Sequence, residues 1–147
     1  MNKVFFDLEW NTGFLDGNSF DEIIEIGAVK TDEEYRQIDG FRRLIRPAIY
    51  RKMNPYIQKI LSITMKDLQN EEPLQAVAKA FFDWCGDCDT LIAWSGNDFG
   101  VLEKNLAHIG MKIPEQLGRY DVQMAYAYRT ENSIRNYALK TAVEAME

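Results

Sequence analysis

Two carboxylates lie one residue apart inside an apolar run near the N-terminus, in Phe6-Asp7-Leu8-Glu9-Trp10-Asn11-Thr12. In a strand, side chains alternate between faces, so Val4, Phe6 and Leu8 point one way while Asp7 and Glu9 point the other. Two negative charges are then aimed at one spot, with α-carbons roughly 6 to 7 Å apart. Repulsion and burial both penalise such a pair unless a cation lies between them, and a divalent metal is the natural candidate. A third acid, Asp98, stands where a strand-like segment gives way to a helix. Alone it reads as a helix N-cap. Beside Asp7 and Glu9 it could complete a carboxylate cluster at the carboxyl end of a sheet, where ligands of α/β folds bind. Carboxylate ligands select hard ions such as magnesium or manganese, which bring phosphates with them.

The elements that must position these acids follow in order. Lys3 to Glu9 reads as a buried strand, and the segment from Asn11 to Asp21, with two glycines and several small polar residues, as a loop. Glu22 to Lys30 is a second strand, nearly all apolar through Ile23-Ile24-Glu25-Ile26-Gly27-Ala28-Val29, as expected when both faces are covered. Glu25 interrupts it, either as a further acid at the metal centre or as a structural group bonded to a neighbouring segment. Phe41 to Arg46 forms a third strand with a basic cluster continued by Arg51 and Lys52, which could hold phosphates or simply be the solvated face of an edge strand. The short connections predict an antiparallel meander.

Tyr56 to Leu61 reads as a short helix. From Pro73, the apolar positions Leu74, Val77, Ala80, Phe81 and Trp84 keep helical spacing, with Pro73 suited to the first helical position. Strand Leu91 to Trp94 and a helix through His108, closed by Gly110, predict a parallel crossover. His108 reads as a cation at a helix C-terminus, remote in sequence from the acids. Tyr120-Asp121 reads as a short strand, and 122–129 and 136–146 as helical.

The chain has 147 residues, 46% of them hydrophobic and 12% aromatic, which fits one domain with a real core. Its net charge of -6 argues against a general electrostatic binder of nucleic acid or membrane, though not against local grip through metal ions. No apolar run approaches the roughly 20 residues that span a bilayer, and no signal-peptide pattern opens the chain, so a cytoplasmic, membrane-free protein is expected. Cys85 and Cys88 make a Cys-x-x-Cys string, but they follow a helical pattern instead of opening a helix, so a buried thiol and a loop thiol are expected rather than a redox pair.

Taken together, these segments resemble the DEDD superfamily of 3'-to-5' exonucleases, in its histidine-containing branch with ribonuclease T and the polymerase III proofreading subunit. Phe5-Phe6-Asp7-Leu8-Glu9-Trp10-Asn11-Thr12 is similar to the first exonuclease motif, Glu22 to Val29 to the second strand, and Ile63-Thr64 to the turn after the third. Ala93-Trp94-Ser95-Gly96-Asn97-Asp98 with Val101-Leu102 is similar to the second motif, and Tyr120-Asp121 to the strand before the last helices. The resemblance implies a ribonuclease H-like α/β fold: a central mixed five-stranded sheet with helices on both faces, in a single domain over 1–147. It also implies hydrolysis of phosphodiester bonds at the 3' end of single-stranded DNA or RNA with two Mg2+ or Mn2+ ions. Asp7 would bridge both ions, Glu9 would hold the one that positions the water, and Asp98 would support the other, partly through water. Trp10, Asn11 and Thr12 would meet the terminal nucleotide, although Trp10 also fits as core beside Phe6 and Leu8.

The third motif of that family, H-x-A-x-x-D, departs from this sequence. Arg135-Asn136-Tyr137-Ala138-Leu139-Lys140-Thr141-Ala142 is either a degenerate version, with Asn136 for the histidine and Thr141 for the aspartate, or the helix that precedes it. The spacing from Asp121 favours the second, with the C-terminal helix missing. Without the base and one ligand, the chain is expected to bind metal weakly and turn over little. A catalytically silent nucleic-acid-binding or partner-binding module, and a structural fragment of a larger assembly, are the alternatives.

Overall fold

The computed structural model describes residues 1–94 and 96–125. A five-stranded sheet has the order β3-β2-β1-β4-β5, built from β1 (Lys3–Leu15), β2 (Asn18–Thr31), β3 (Gln37–Leu44), β4 (Thr90–Ala93) and β5 (Gly118–Asp121). The first three strands form the expected antiparallel meander, and β4 joins β1 in parallel after a crossover, with β5 parallel to β4. The sheet is therefore mixed, with β3 and its arginines on one edge. Helices α1 (Pro55–Leu61), α2 (Met65–Leu68) and α3 (Leu74–Cys85) lie between β3 and β4, and α4 (Gly96–His108) between β4 and β5.

Period-two alternation holds where the sequence predicts it. Val4, Phe6 and Leu8 are buried in the main core with Val77, Phe81, Leu102 and Leu106, so α3 and α4 cover that face of β1. Phe81 is fully buried among the rings of Phe6, Phe41, Phe82 and Trp84. A second, smaller cluster of Ile24, Met53 and Leu68 gathers Leu44, Ile57, Leu61 and Met65, which seats α1 and α2.

A β-bulge explains how β2 feeds both clusters. Glu9 pairs with Glu25 but Trp10 pairs with Ile23, leaving Ile24 as the extra residue. Two consecutive side chains then leave the same face, and alternation resumes beyond them. Ile23 and Ile26 enter the main core, while Ile24 enters the second cluster.

The segment expected as a loop from Asn11 to Asp21 is a long hairpin instead. Both strands continue past the bulge and meet at Asp16 (φ 52°) and Gly17 (φ 82°), the two left-handed residues of a two-residue turn. Polar and glycine-rich composition resembles a loop, but here it is the composition of a ribbon that projects past the core. Gly13 has a local cause, because a β-carbon there would lie 2.7 Å from the ring of Tyr50. Two smaller corrections follow. Pro73 is the N-cap of α3 instead of its first helical residue, and β3 ends at Leu44 instead of Arg46. Cys88 lies in the loop after α3, as expected, and is buried there as deeply as Cys85. The helical reading of 122–129 holds for residues 122–125. The rest of it, the segment 136–146 and the expectation of a missing C-terminal helix fall outside the described residues. No helix among the described residues is long and apolar enough to cross a membrane.

Candidate active site

Parallel pairing of β1 with β4 sets Lys3, Val4 and Phe5 against Thr90, Leu91 and Ile92, so both strands run in the same direction toward their carboxyl ends. There β1 carries Asp7 and Glu9, and β4 passes through Trp94 into α4. Asp98 lies in the first turn of α4, where an acid is favoured by the helix dipole, and not at the cap itself. Asp7 and Asp98 line one cleft of about 540 Å³ with Phe5, Phe6, Ile92 and Ala93. The fold thus brings together acids from opposite ends of the crossover.

Electrostatics place the acids in one neighbourhood. Asp7 is exposed and Glu9 half-buried, while Asp98 is only 8% exposed. Burial, followed by the negative charges of Asp7, Glu9 and Asp121, pushes the Asp98 carboxyl up to about 7. Glu9 is raised by burial and then by Asp7 and Glu25. Asp7 is raised by burial and, more weakly, by Glu25, against a hydrogen bond from the Leu8 backbone that favours its charge. Like charges held this close disfavour ionisation, and a cation among them reverses the effect. Among the described residues, no three acidic, histidine or cysteine side chains form a ready-made coordination group. The acids share a field without converging on a point.

Two further carboxylates face this cluster. Glu25, opposite Glu9 across the ladder, pairs with Arg42 on the edge strand at 3.1 Å, which bears out the structural reading of that residue. Asp121 accepts a hydrogen bond from the Met124 amide at 3.0 Å, and its other oxygen would lie 3.1 Å from a β-carbon at Gly96. In the sequence, Asp121 stands out only as part of a strand. Its relevance depends on β5 lying beside β4, with Ala93 paired to Asp121, and no local pattern reveals that register.

The three residues after Glu9 separate in what they do. Trp10 packs half-buried against the main core, on the side of Phe6 and Leu8. Asn11 is 1% exposed, and its side chain donates to the Lys52 carbonyl at 3.0 Å and accepts from the Asn54 amide at 2.8 Å. Its side chain therefore holds the chain that enters α1. Thr12 donates to its cross-strand partner Asp21 at 2.9 Å. His108 ends α4 with its ring 5.8 Å from that of Phe20.

Comparison with known proteins agrees with this architecture. A family model described as "Exonuclease" matches residues 4–145. The chain is 34% identical over 112 residues to the PolC-type DNA polymerase III of Clostridium perfringens, covering 75% of this chain and 7% of that protein. It is 30% identical over 107 residues to the PolC-type DNA polymerase III of Staphylococcus haemolyticus, covering 73% and 7%. The chain thus spans a small fraction of the length of these relatives. The nuclease domain of 3'hExo, a DEDDh family member bound to rAMP, superposes with a TM-score of 0.74 at 17% identity, over 90% of this chain and 71% of that one. Cell-death related nuclease 4 gives 0.75 at 12% identity, over 96% and 52%. E. coli Exonuclease I in complex with an oligonucleotide gives 0.67 at 17% identity, over 93% and 32%. These structures share the ribonuclease H-like fold of the mixed sheet. The chain belongs to the exonuclease family that the matching family model describes.

Proposed function

We propose that this domain is a metal-dependent 3'-to-5' exonuclease acting on the 3' end of single-stranded DNA or RNA, with Asp7, Glu9 and Asp98 as its catalytic carboxylates. The observation that carries the reading is the single cleft lined by Asp7 and Asp98, with Glu9 in the same electrostatic field. An all-oxygen donor set of one sign fits hard divalent cations, Mg2+ or Mn2+, better than zinc or copper. When bound, two such ions would supply charge neutralisation at the phosphate and a more acidic water. The chain's own residues then have defined work. Asp7 shares β1 with Glu9 and the cleft with Asp98, so it would be the ligand common to both ions. Trp10 and Phe6 hold β1 on the core so that the carboxylates do not drift. The cleft's apolar walls, Phe5, Phe6 and Ile92, suit the terminal nucleoside better than a second charge.

The test is shortening of a 5'-labelled single strand from a free 3' end, in parallel with a strand whose 3' end is blocked. Activity should require Mg2+ or Mn2+, spare the blocked strand and vanish in Asp7→Ala. Undiminished hydrolysis by Asp7→Ala would sink the proposed site.

A further inference from the structure

The segment between β3 and α1, residues 46–54, is a surface strap held by buried polar side chains. Glu22, only 5% exposed, accepts three backbone hydrogen bonds from it: Ala48 and Ile49 at 2.9 and 2.8 Å on one oxygen, and Tyr50 at 3.0 Å on the other. Its cross-strand partner Asn11 holds the Lys52 carbonyl and the Asn54 amide. Between these, Met53 is buried in the second cluster, and the Tyr50 hydroxyl donates to the Phe20 carbonyl at 2.7 Å. Asn54 then caps α1 by accepting from Tyr56 and Ile57. Backbone bonds or burial anchor every residue from 48 to 54 except Arg51.

What this fixed strap presents outward is charge. Arg51 and Lys52 are both exposed, and among the described residues neither has an acidic partner, in a chain of net charge -6. Tyr56, in the first turn of α1, is 70% exposed. Register places them beside the acids. Asp7, Glu9 and Asn11 leave β1 on the same face by period-two alternation, so the strap that Asn11 holds lies on the carboxylate face. Asn11 stands roughly 6 to 7 Å along β1 from Glu9, comparable to one nucleotide step of an extended strand.

We propose that Arg51 and Lys52, with Tyr56 beside them, bind the phosphates and a base of the single strand upstream of its 3' end. Two exposed cations on an anchored strap and an exposed ring are the parts of a sequence-independent single-strand track. Arg51 and Lys52 grip phosphate oxygens, and Tyr56 offers a stacking face. The inference rests on the exonuclease reading and adds to it the residues that hold the substrate beyond its terminal nucleotide. These are positioning residues, since none touches the reacting phosphate.

The experiment is fluorescence anisotropy with 5'-labelled, phosphorothioate-protected dT4, dT16 and U16 in EDTA, over a salt series. The full chain is compared with Arg51→Ala/Lys52→Ala and with Lys112→Ala as a remote control. Each single-strand phosphate contact contributes about 0.7 to the slope of log affinity against log salt, so the double variant should lose about 1.4. With the slopes meeting near 1 M salt, that is roughly tenfold weaker binding of dT16 at 150 mM. The advantage of dT16 over dT4 should shrink, with Lys112→Ala unchanged. If the wild-type chain binds dT16 and the double variant binds with the same slope, the track is refuted and the exonuclease reading stands. If the wild-type chain binds no oligonucleotide at low salt, the track is refuted, and the exonuclease reading is decided by its own 3'-end assay. A larger loss for U16 than for dT16, or the reverse, assigns the preferred strand.

Discussion

Replacing Asp98 by asparagine should make the metal-free protein more stable, an inversion of what loss of a buried hydrogen-bonding carboxylate ordinarily does. In the native state Asp98 sits among Asp7, Glu9 and Asp121 with its carboxyl pushed up to about 7, against 3.8 in the unfolded chain. The sign follows from proton counting. Below pH 3.8 both states hold the proton and nothing is lost. Between pH 3.8 and about 7 the native state retains a proton that the unfolded chain releases, so stability falls as pH rises, and the loss is complete above that range. Undiscounted, the shift corresponds to about 4 kcal/mol. Relaxation and water around a cleft-lining group reduce it to about 1 to 3 kcal/mol. The asparagine side chain keeps the shape and removes the charge. Thermal melts in EDTA should therefore show Asp98→Asn about 3 to 10 °C above wild type at pH 8, and nearly coincident with it at pH 4. A lower melting temperature for the variant at pH 8, or a difference that ignores pH, would refute the electrostatic account of the cleft.

Other outcomes follow from single features. Ten millimolar Mg2+ or Mn2+ should raise the melting temperature of wild type and leave Asp7→Asn unmoved, read by the same melts; an equal rise in both would place the ions elsewhere. Asn11→Ala leaves the Lys52 carbonyl and the Asn54 amide without their buried partner and should cost about 1 to 3 kcal/mol in urea unfolding, with proteolytic nicking at the strap as its local signature. Phe81→Ala empties the centre of the aromatic cluster and should cost about 3 to 5 kcal/mol by the same measurement. The thiols should resist a disulfide reagent at pH 8 until the chain unfolds, because burial and the neighbouring Cys88 push Cys85 up to about 12 and both are shielded. Rapid titration of either thiol in the folded protein would overturn that burial.

The carboxylate strand is legible because Asp7 and Glu9 break an apolar run with period two, a conflict that hydrophobicity alone does not produce. The crossover to α4 is legible from the apolar spacing of α3 and the strand before Gly96. The hairpin is hidden by its own composition, although Asp16-Gly17 carries a two-residue turn signal that fits the left-handed conformation both residues adopt. The strap is not legible at all. Glu22 and Asn11 reach partners 26 to 43 residues away, and a glutamate in a strand gives no sign of whether it faces water or three backbone amides. Asn11 illustrates the limit. Its place in the motif resembles a substrate contact, while its hydrogen bonds go to the protein itself.

The extra residue at Ile24 has a consequence for how the hairpin tolerates change. It is a half-step in the phase of β2 alone: β1 alternates without interruption, so Asp7 and Glu9 on one side of the bulge and Asn11 on the other keep one face. Deleting Ile24 would join Ile23 to Glu25 and leave the pairs on either side in place, Trp10 with Ile23 and Asn11 with Glu22, so the strap would keep its grip while the second cluster lost a fully buried side chain. Insertions beyond it in matched pairs, one on each strand, would lengthen the ribbon and leave both phases intact. The hairpin tip is thus free to vary in length, while Ile24 is held by the second cluster that it fills.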